Sequence, residues 1–177
     1  MQAISLEAIE EIDFEVAKRD FKFFFEQILG FQLSHHHEEW YNNLETRKRY
    51  CVKAARDHGK STLFLGYMLW KTAFNPKTKA VLISHSLHQS IHHMRTLNDL
   101  IDSVPFLAKM KKPDSWSKTF FGFANGSNIS AKSVGGAIRG IHPDLILCDD
   151  ILWGTTDTEL ARVASWFYEV LVPTLHH

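Results

Sequence analysis

One stretch, Ala54-Ala55-Arg56-Asp57-His58-Gly59-Lys60-Ser61-Thr62, constrains this chain more than any other. It follows a short β-branched and aromatic run, Arg49-Tyr50-Cys51-Val52-Lys53, and precedes a helical pattern, Leu63-Phe64-Leu65-Gly66-Tyr67-Met68-Leu69-Trp70. Strand, loop ending in Gly-Lys-Ser, then helix is the order that a phosphate-cradling loop requires. Backbone N–H groups and the helix N-terminus face the anion, the lysine reaches the β- and γ-phosphates, and the serine hydroxyl ligates Mg²⁺. Glycine usually opens such a loop, and Ala54 stands there instead. The plainer alternative is a surface turn that happens to carry a lysine.

A chain of 177 residues can hold one domain with a real core and an N-terminal helical appendage. Its hydrophobic content of 45% and charged content of 23% are those of a globular protein and argue against disorder. The formal net charge is zero, so overall basicity gives no argument for nucleic-acid binding and only a local basic patch remains open. Cys51 and Cys148 both fall in expected buried strands and read as small core hydrophobes of a reducing compartment. No apolar run approaches the ~20 residues of a membrane span, and the acidic N-terminus lacks the marks of a signal peptide. A soluble, intracellular protein without a membrane partner is expected.

From Ser5 to Leu29 the apolar spacing is helical, through Leu6, Ile9, Ile12 and Val16 and then Phe21, Phe24, Phe25 and Ile28, with Gly30 as a stop. The longer step from Val16 to Phe21 allows two helices, with Asp20 as N-cap of the second. His35-His36-His37 opens another helix running to about Arg47. Adjacent helical histidines point in different directions and cannot share one ion, so a polar helix start is the reading. The basic run Arg47-Lys48-Arg49 reads as a solvated turn.

Downstream, Ala80 to Ser84 has the composition of a buried parallel strand. Leu87, Ile91, Met94, Leu97 and Ile101 continue at helical spacing, with His88 and His92 four apart but short of a metal site's ligand set. Lys111 to Ser115 reads as a loop. Asn125-Gly126, between Thr119–Phe123 and Asn128–Ala131, is a hairpin signal. Val134 to Gly140 is a glycine-rich loop without a following helix start. Leu145-Ile146-Leu147-Cys148-Asp149-Asp150 describes a central parallel strand ending in paired acids, at the edge where open α/β sheets bind ligands. A last helix is expected from Asp157 to Val172, with Leu160, Val163, Ala164, Phe167, Val170 and Leu171 as its apolar face.

These pieces suit Mg²⁺-dependent ATP chemistry. Asp149 is expected to hold Mg²⁺ through water, opposite Ser61, and Asp150 to orient or deprotonate the attacking water. Most ATPases of this kind place glutamate second, and aspartate is one methylene shorter. Arg56, inside the loop, and Arg139, on the glycine-rich loop, are candidates to stabilise transition-state charge, Arg139 in its own subunit or a neighbour's. A surface salt bridge is the alternative for either arginine.

With these residues assembled, the chain from about Phe31 to Val172 resembles the ATPase region of the large terminase subunit, the DNA-packaging motor of tailed bacteriophages. The resemblance is carried by Ala55 to Ser61, Val81 to Ser90, Asn125 to Ala131, Ile138-Arg139-Gly140 and Pro143 to Asp150, in that order and spacing. It implies an α/β fold of the P-loop NTPase (ASCE) type, a mainly parallel β-sheet flanked by helices, with a β-hairpin and an N-terminal helical segment. Residues 1–30 would form that segment and 31–177 the ATPase core. ATP would contact Ala55, Arg56, Asp57, His58, Gly59, Lys60, Ser61 and Thr62, and Mg²⁺ would lie with Ser61 and Asp149. The family's adenine-recognition segment, usually built on glutamines, falls at Gln32 and His37; histidine does not copy an amide's paired donor and acceptor. Implied partners are double-stranded DNA, the portal and procapsid, the small terminase subunit and other copies in a ring, in a host cytoplasm. The family's coupling motif and nuclease domain would lie beyond residue 177, so a truncated form that cuts no DNA is expected. Two alternatives stay open: another DNA-dependent P-loop motor, helicase- or recombinase-like, and a nucleotide-binding assembly module without turnover.

Overall fold

A computed structural model describes residues 6–138, 140–152 and 156–174, with side chains from Glu11 onward. The chain forms two compact units, Met1–Trp70 and Lys71–His177, whose division falls inside one helix.

The first unit is helical. Helix α1 (Leu6–Arg19) ends at Asp20, whose extended backbone (φ −131°) and side chain, accepting from Phe23 N at 3.1 Å, start α2 (Phe21–Phe23). The expected two helices and their cap are therefore both present. Helix α2 runs on as a π-helical turn over Phe24–Ile28, and Gly30 follows in the left-handed region (φ +74°) that glycine reaches without strain. Helix α3 (His35–Thr46) starts after Ser34, as the sequence predicts. Helix α4 (Lys60–Phe74) begins at the lysine of the loop.

Aromatic side chains fill this unit. The Phe21 ring lies 4.8 Å from Tyr41, 5.5 Å edge-on from Tyr67 and 5.5 Å from Trp70, centroid to centroid. Such offset contacts add to the area these large rings bury. Their polar atoms are placed: Trp70 Nε1 donates to the Ala17 carbonyl at 2.7 Å, and the Tyr67 hydroxyl donates to Glu45 at 2.6 Å. Burial, and then the bond to Glu45, push the Tyr67 phenol well above its ordinary range.

The stretch expected as a strand before the loop belongs to no strand among the described residues, and Cys51 is exposed instead of buried. Exposed Cys51 and Lys53 alternate with half-buried Val52 and Ala54. Flanked by Lys48, Arg49 and Lys53, the segment has too little apolar surface to enter a sheet buried on both faces.

The second unit is built on a sheet of five strands in the order β2-β3-β4-β1-β5. They are β1 (Lys79–Ser84), β2 (Lys111–Ser117), β3 (Phe120–Phe123), β4 (Asn128–Ser133) and β5 (Leu145–Asp149). Strand β1 pairs in parallel with β4 and β5, whereas β2–β3 and β3–β4 are antiparallel. The sheet is mixed, not mainly parallel. The reason is local: tight turns join β2 to β3 and β3 to β4, and a short connection reverses the chain, while a parallel pair needs a long crossover. The expected loop at Lys111–Ser115 is part of edge strand β2, where Pro113 needs no ladder partner and the register shifts between Lys111 and Trp116. Strand β5 was expected at the centre, yet in the described sheet it is an edge strand paired to β1.

Helix α5 (Leu87–Ser103) follows β1 and carries Met94, Leu97 and Ile101 inward, and the short α6 (Pro105–Lys109) follows it. The Ser90 hydroxyl donates to the Lys132 carbonyl at 2.6 Å and accepts from Ser84 N at 3.1 Å, pinning the start of α5 to the C-terminal ends of β1 and β4. The last helix has three parts: α7 (Asp157–Trp166), a π-helical turn Phe167–Leu171 and a 3₁₀ turn Val172–Thr174. Strand alternation sorts the sheet's faces. Val81, Ile83, Ile146 and Cys148 pack with Ile138, Trp166 and Leu171, and Leu82, Ser84 and Asp149 point the other way, toward α5. The expected apolar face of the last helix is partly displaced, since Leu160 and Ala164 are exposed and Trp166 takes a buried place. No described helix is long and apolar enough to cross a membrane.

Candidate functional site

In the first unit, residues 54–59 form a turn that closes around the Lys60 ammonium. Asp57 (φ +64°) and Gly59 (φ +68°) both take left-handed backbone conformations, which an aspartate tolerates better than most side chains and a glycine without penalty. These two reversals fold residues 54–59 back on themselves, so that Lys60 Nζ donates to the Ala54 carbonyl at 2.7 Å and to the Ala55 carbonyl at 3.3 Å. Leu63 N then donates to the Gly59 carbonyl at 2.9 Å, the first bond of the α4 ladder. Ahead of that bond stand the N–H groups that a helix start leaves without intrahelical partners, with the positive end of a 15-residue helix behind them. Arg56, Asp57 and His58 are exposed, and Gly59, Lys60, Ser61 and Thr62 are half-buried.

His37 braces this turn from α3. Its Nε2 donates to the His58 carbonyl at 2.8 Å, and its Nδ1 accepts from the Ser34 backbone N–H at 3.3 Å. The two bonds together fix the neutral tautomer with hydrogen on Nε2. They also engage both ring nitrogens, the atoms an adenine contact would need. The ring sits so near the loop that a Cβ on Gly59 would lie 2.8 Å from Nε2. Gln32 is exposed in a groove lined by Glu26, Gln27, Gly30, Phe31 and Leu33, with Glu26 accepting from Leu33 N at 3.1 Å to hold its rim.

In the second unit the two acids at the end of β5 have different surroundings. Asp149 is buried, and its Oδ2 lies 3.0 Å from His93 Nε2. Asp150 is exposed and takes φ +49°, in the left-handed region. Beside them, burial and then the Asp149 charge push the Cys148 thiol up to about 12. Ser84 stands opposite Asp149 in the β1–β5 register, and its hydroxyl is buried with no hydrogen-bond partner among the described residues. The entry to β5 is clamped by Asp144, which exchanges two bonds with the Lys79 backbone at 2.8 and 2.9 Å. Arg139 lies outside the described residues.

Mg²⁺ prefers hard oxygen ligands. A hydroxyl at Ser61 and a carboxylate at Asp149 are hard oxygen ligands, and no group of three or more His, Cys, Asp or Glu gathers among the described residues. Mg²⁺ takes few protein ligands and completes its octahedron with phosphate oxygens and water, so a dedicated cage is not what such a site needs.

Over 127 residues, 67% of this chain, the sequence is 27% identical to the terminase large subunit of Enterobacteria phage T3. That supports a relationship to terminase large subunits. No family model matches the chain, which spans 22% of the length of the phage T3 protein.

Sequence reasoning passed over His93 and weighed His88 and His92 instead. The available signal was periodicity: His93 lies one turn from Ser90 and on the side of α5 that also buries Met94, Leu97 and Ile101. A histidine on a buried stripe needs a polar partner, and Asp149 is that partner. The bracing contact of His37 left no such trace, because it depends on α3 and the loop meeting in space.

Proposed function

We propose that this chain is the ATP-binding and hydrolysing part of a terminase-like motor that drives double-stranded DNA into a procapsid. The observation that carries the reading is the turn of residues 54–59 wrapped around the Lys60 ammonium at the start of α4. The similarity to the phage T3 terminase large subunit narrows the class of motor.

In this reading the triphosphate takes the place of the Ala54 and Ala55 carbonyls as the partner of Lys60, while the backbone N–H groups at the start of α4 receive phosphate oxygens. Ser61, and Asp149 through water, would hold Mg²⁺, which would supply positive charge against the phosphates. Asp150 orients the attacking water, and Arg56 and Arg139 offset the charge that develops in the transition state. Gln32 reads the adenine edge, with His37 holding the loop in shape. DNA, the portal and procapsid, the small terminase subunit and neighbouring copies in a ring are the partners this reading implies.

Thermal unfolding with and without Mg²⁺–ATP tests the binding step. At a ligand concentration about a hundredfold above Kd the expected stabilisation is about 2.7 kcal/mol, or roughly 5–10 °C for a domain of this size. Lys60→Ala should remove it, and an unchanged shift in that variant sinks the assignment. Phosphate release from the same samples addresses turnover. A second reading, a nucleotide-binding assembly module without hydrolysis, draws on Asp150, which is exposed and shorter than the usual glutamate. Binding of ATP by the wild type, with no phosphate release from it or from Lys60→Ala, would favour it.

A further inference from the structure

A carboxylate at the end of an edge strand is ordinarily solvated, yet the side chain of Asp149 is only 12% exposed and that of His93, facing it, 8%. Burial of this kind is costly unless the charge is hydrogen-bonded. The His93 contact comes from an element held in place by other bonds. Ser86 caps α5 by accepting from Gln89 N at 3.2 Å, and Ser90 ties the next residues to Ser84 N and the Lys132 carbonyl. His93 therefore approaches Asp149 from a fixed direction.

Its tautomer follows from the same geometry. The Gln89 amide also lies 3.3 Å from His93 Nε2, and one nitrogen cannot accept there while donating to Asp149. The carboxylate is the nearer and the charged partner, so Nε2 carries the hydrogen and Asp149 Oδ2 receives it. A carboxylate has two oxygens and about four lone-pair directions, so this bond fixes the rotamer without exhausting the group. Carboxylates that serve metals are commonly oriented by such outer partners, whose removal costs about 10–100-fold in metal affinity.

We propose that His93 is a positioning residue that fixes the Asp149 carboxylate for the Mg²⁺ of a bound nucleotide. The inference rests on the reading of Asp149 given above, and it separates His93 from His88 and His92, which share its helix without sharing its role.

The test uses the full chain with Mn²⁺ in place of Mg²⁺ and a non-hydrolysable ATP analogue, reading free Mn²⁺ by electron paramagnetic resonance. His93→Gln keeps an N–H long enough to reach Asp149, whereas His93→Asn is too short. The expected result is Mn²⁺ affinity about tenfold weaker in His93→Asn and largely restored in His93→Gln. Binding of the analogue in EDTA should be equal in all three proteins, and thermal unfolding confirms that each is folded. Wild-type Mn²⁺ affinity in His93→Asn overturns the proposal, as does an equal loss of metal-free nucleotide binding, which marks a structural role alone. If the wild-type chain binds the analogue in EDTA but takes up no Mn²⁺, the metal role of Asp149 itself falls, and the proposal with it.

Discussion

Gly59 illustrates how much one residue of the loop is asked to do. Its backbone sits at φ +68°, and the space where a Cβ would go is already held by His37. Gly59→Ala therefore faces left-handed strain of about 1–2 kcal/mol and a collision with the ring. We expect urea unfolding to show a loss of at least that strain, with nucleotide stabilisation weakened as the turn shifts. In Gly59→Ala/His37→Ala the collision is gone and the strain stays, so the double variant should lose less than the two single losses summed. Additive losses would mean that the ring gives way freely. A second residue-scale expectation concerns the thiols. Thiolate is the reactive form, and a Cys148 thiol pushed up to about 12 is almost wholly protonated at pH 8. Exposed Cys51 should react quickly with a disulfide reagent in the native protein, and Cys148 only after unfolding. Rapid modification of both would show that the Cys148 environment is open.

Among elements, the hairpin between β3 and β4 is the clearest case of a local signal with a tertiary use. Gly126 takes φ +84°, as the Asn-Gly signal predicts. Asn125, beside it, accepts from Ser127 N at 2.9 Å and donates through Nδ2 to the Thr72 and Ala73 carbonyls, each at 2.9 Å. Those carbonyls belong to the last turn of α4, where a helix has acceptors without intrahelical donors. Asn125→Asp keeps the shape and the Ser127 bond but removes the donor, setting a carboxylate against two carbonyls. The expected loss is about 2 kcal/mol in urea unfolding, and a loss under half of that would mean water replaces the amide. At the other end of the chain, Asp20→Ala removes the cap of α2 and should cost about 1 kcal/mol by the same measurement.

At the scale of the whole molecule, the residues assigned to ATP chemistry are divided between the compact units: Lys60 belongs to the first and Asp149 to the second. Their chemistry predicts different signatures. Lys60→Ala should lose nucleotide stabilisation whether or not Mg²⁺ is present, because its partner is the phosphate itself. Asp149→Asn should keep the stabilisation seen in EDTA and lose the increment that Mg²⁺ adds. Thermal unfolding with ATP, in Mg²⁺ and in EDTA, measures both, and identical profiles for the two variants would contradict the division of roles.

Local rules made most of the helices, the Asp20 cap, the Gly30 stop and the Asn-Gly turn legible in the sequence, because each depends on residues within a turn or two of one another. Strand β1 was legible too, since an unbroken apolar run has few alternatives. The order of strands was not. Whether residues 49–53 join a sheet, whether Lys111–Ser117 pairs, and whether β5 is central or at an edge all depend on which surfaces remain to be covered elsewhere. The same limit hid the histidines. Sequence placed His37 before the loop and His93 on a helix, but only the tertiary structure set one against the His58 carbonyl and the other against Asp149. The period of α5 marks His93 as buried, but its partner, like that of His37, is decided by packing in three dimensions between segments far apart in the chain.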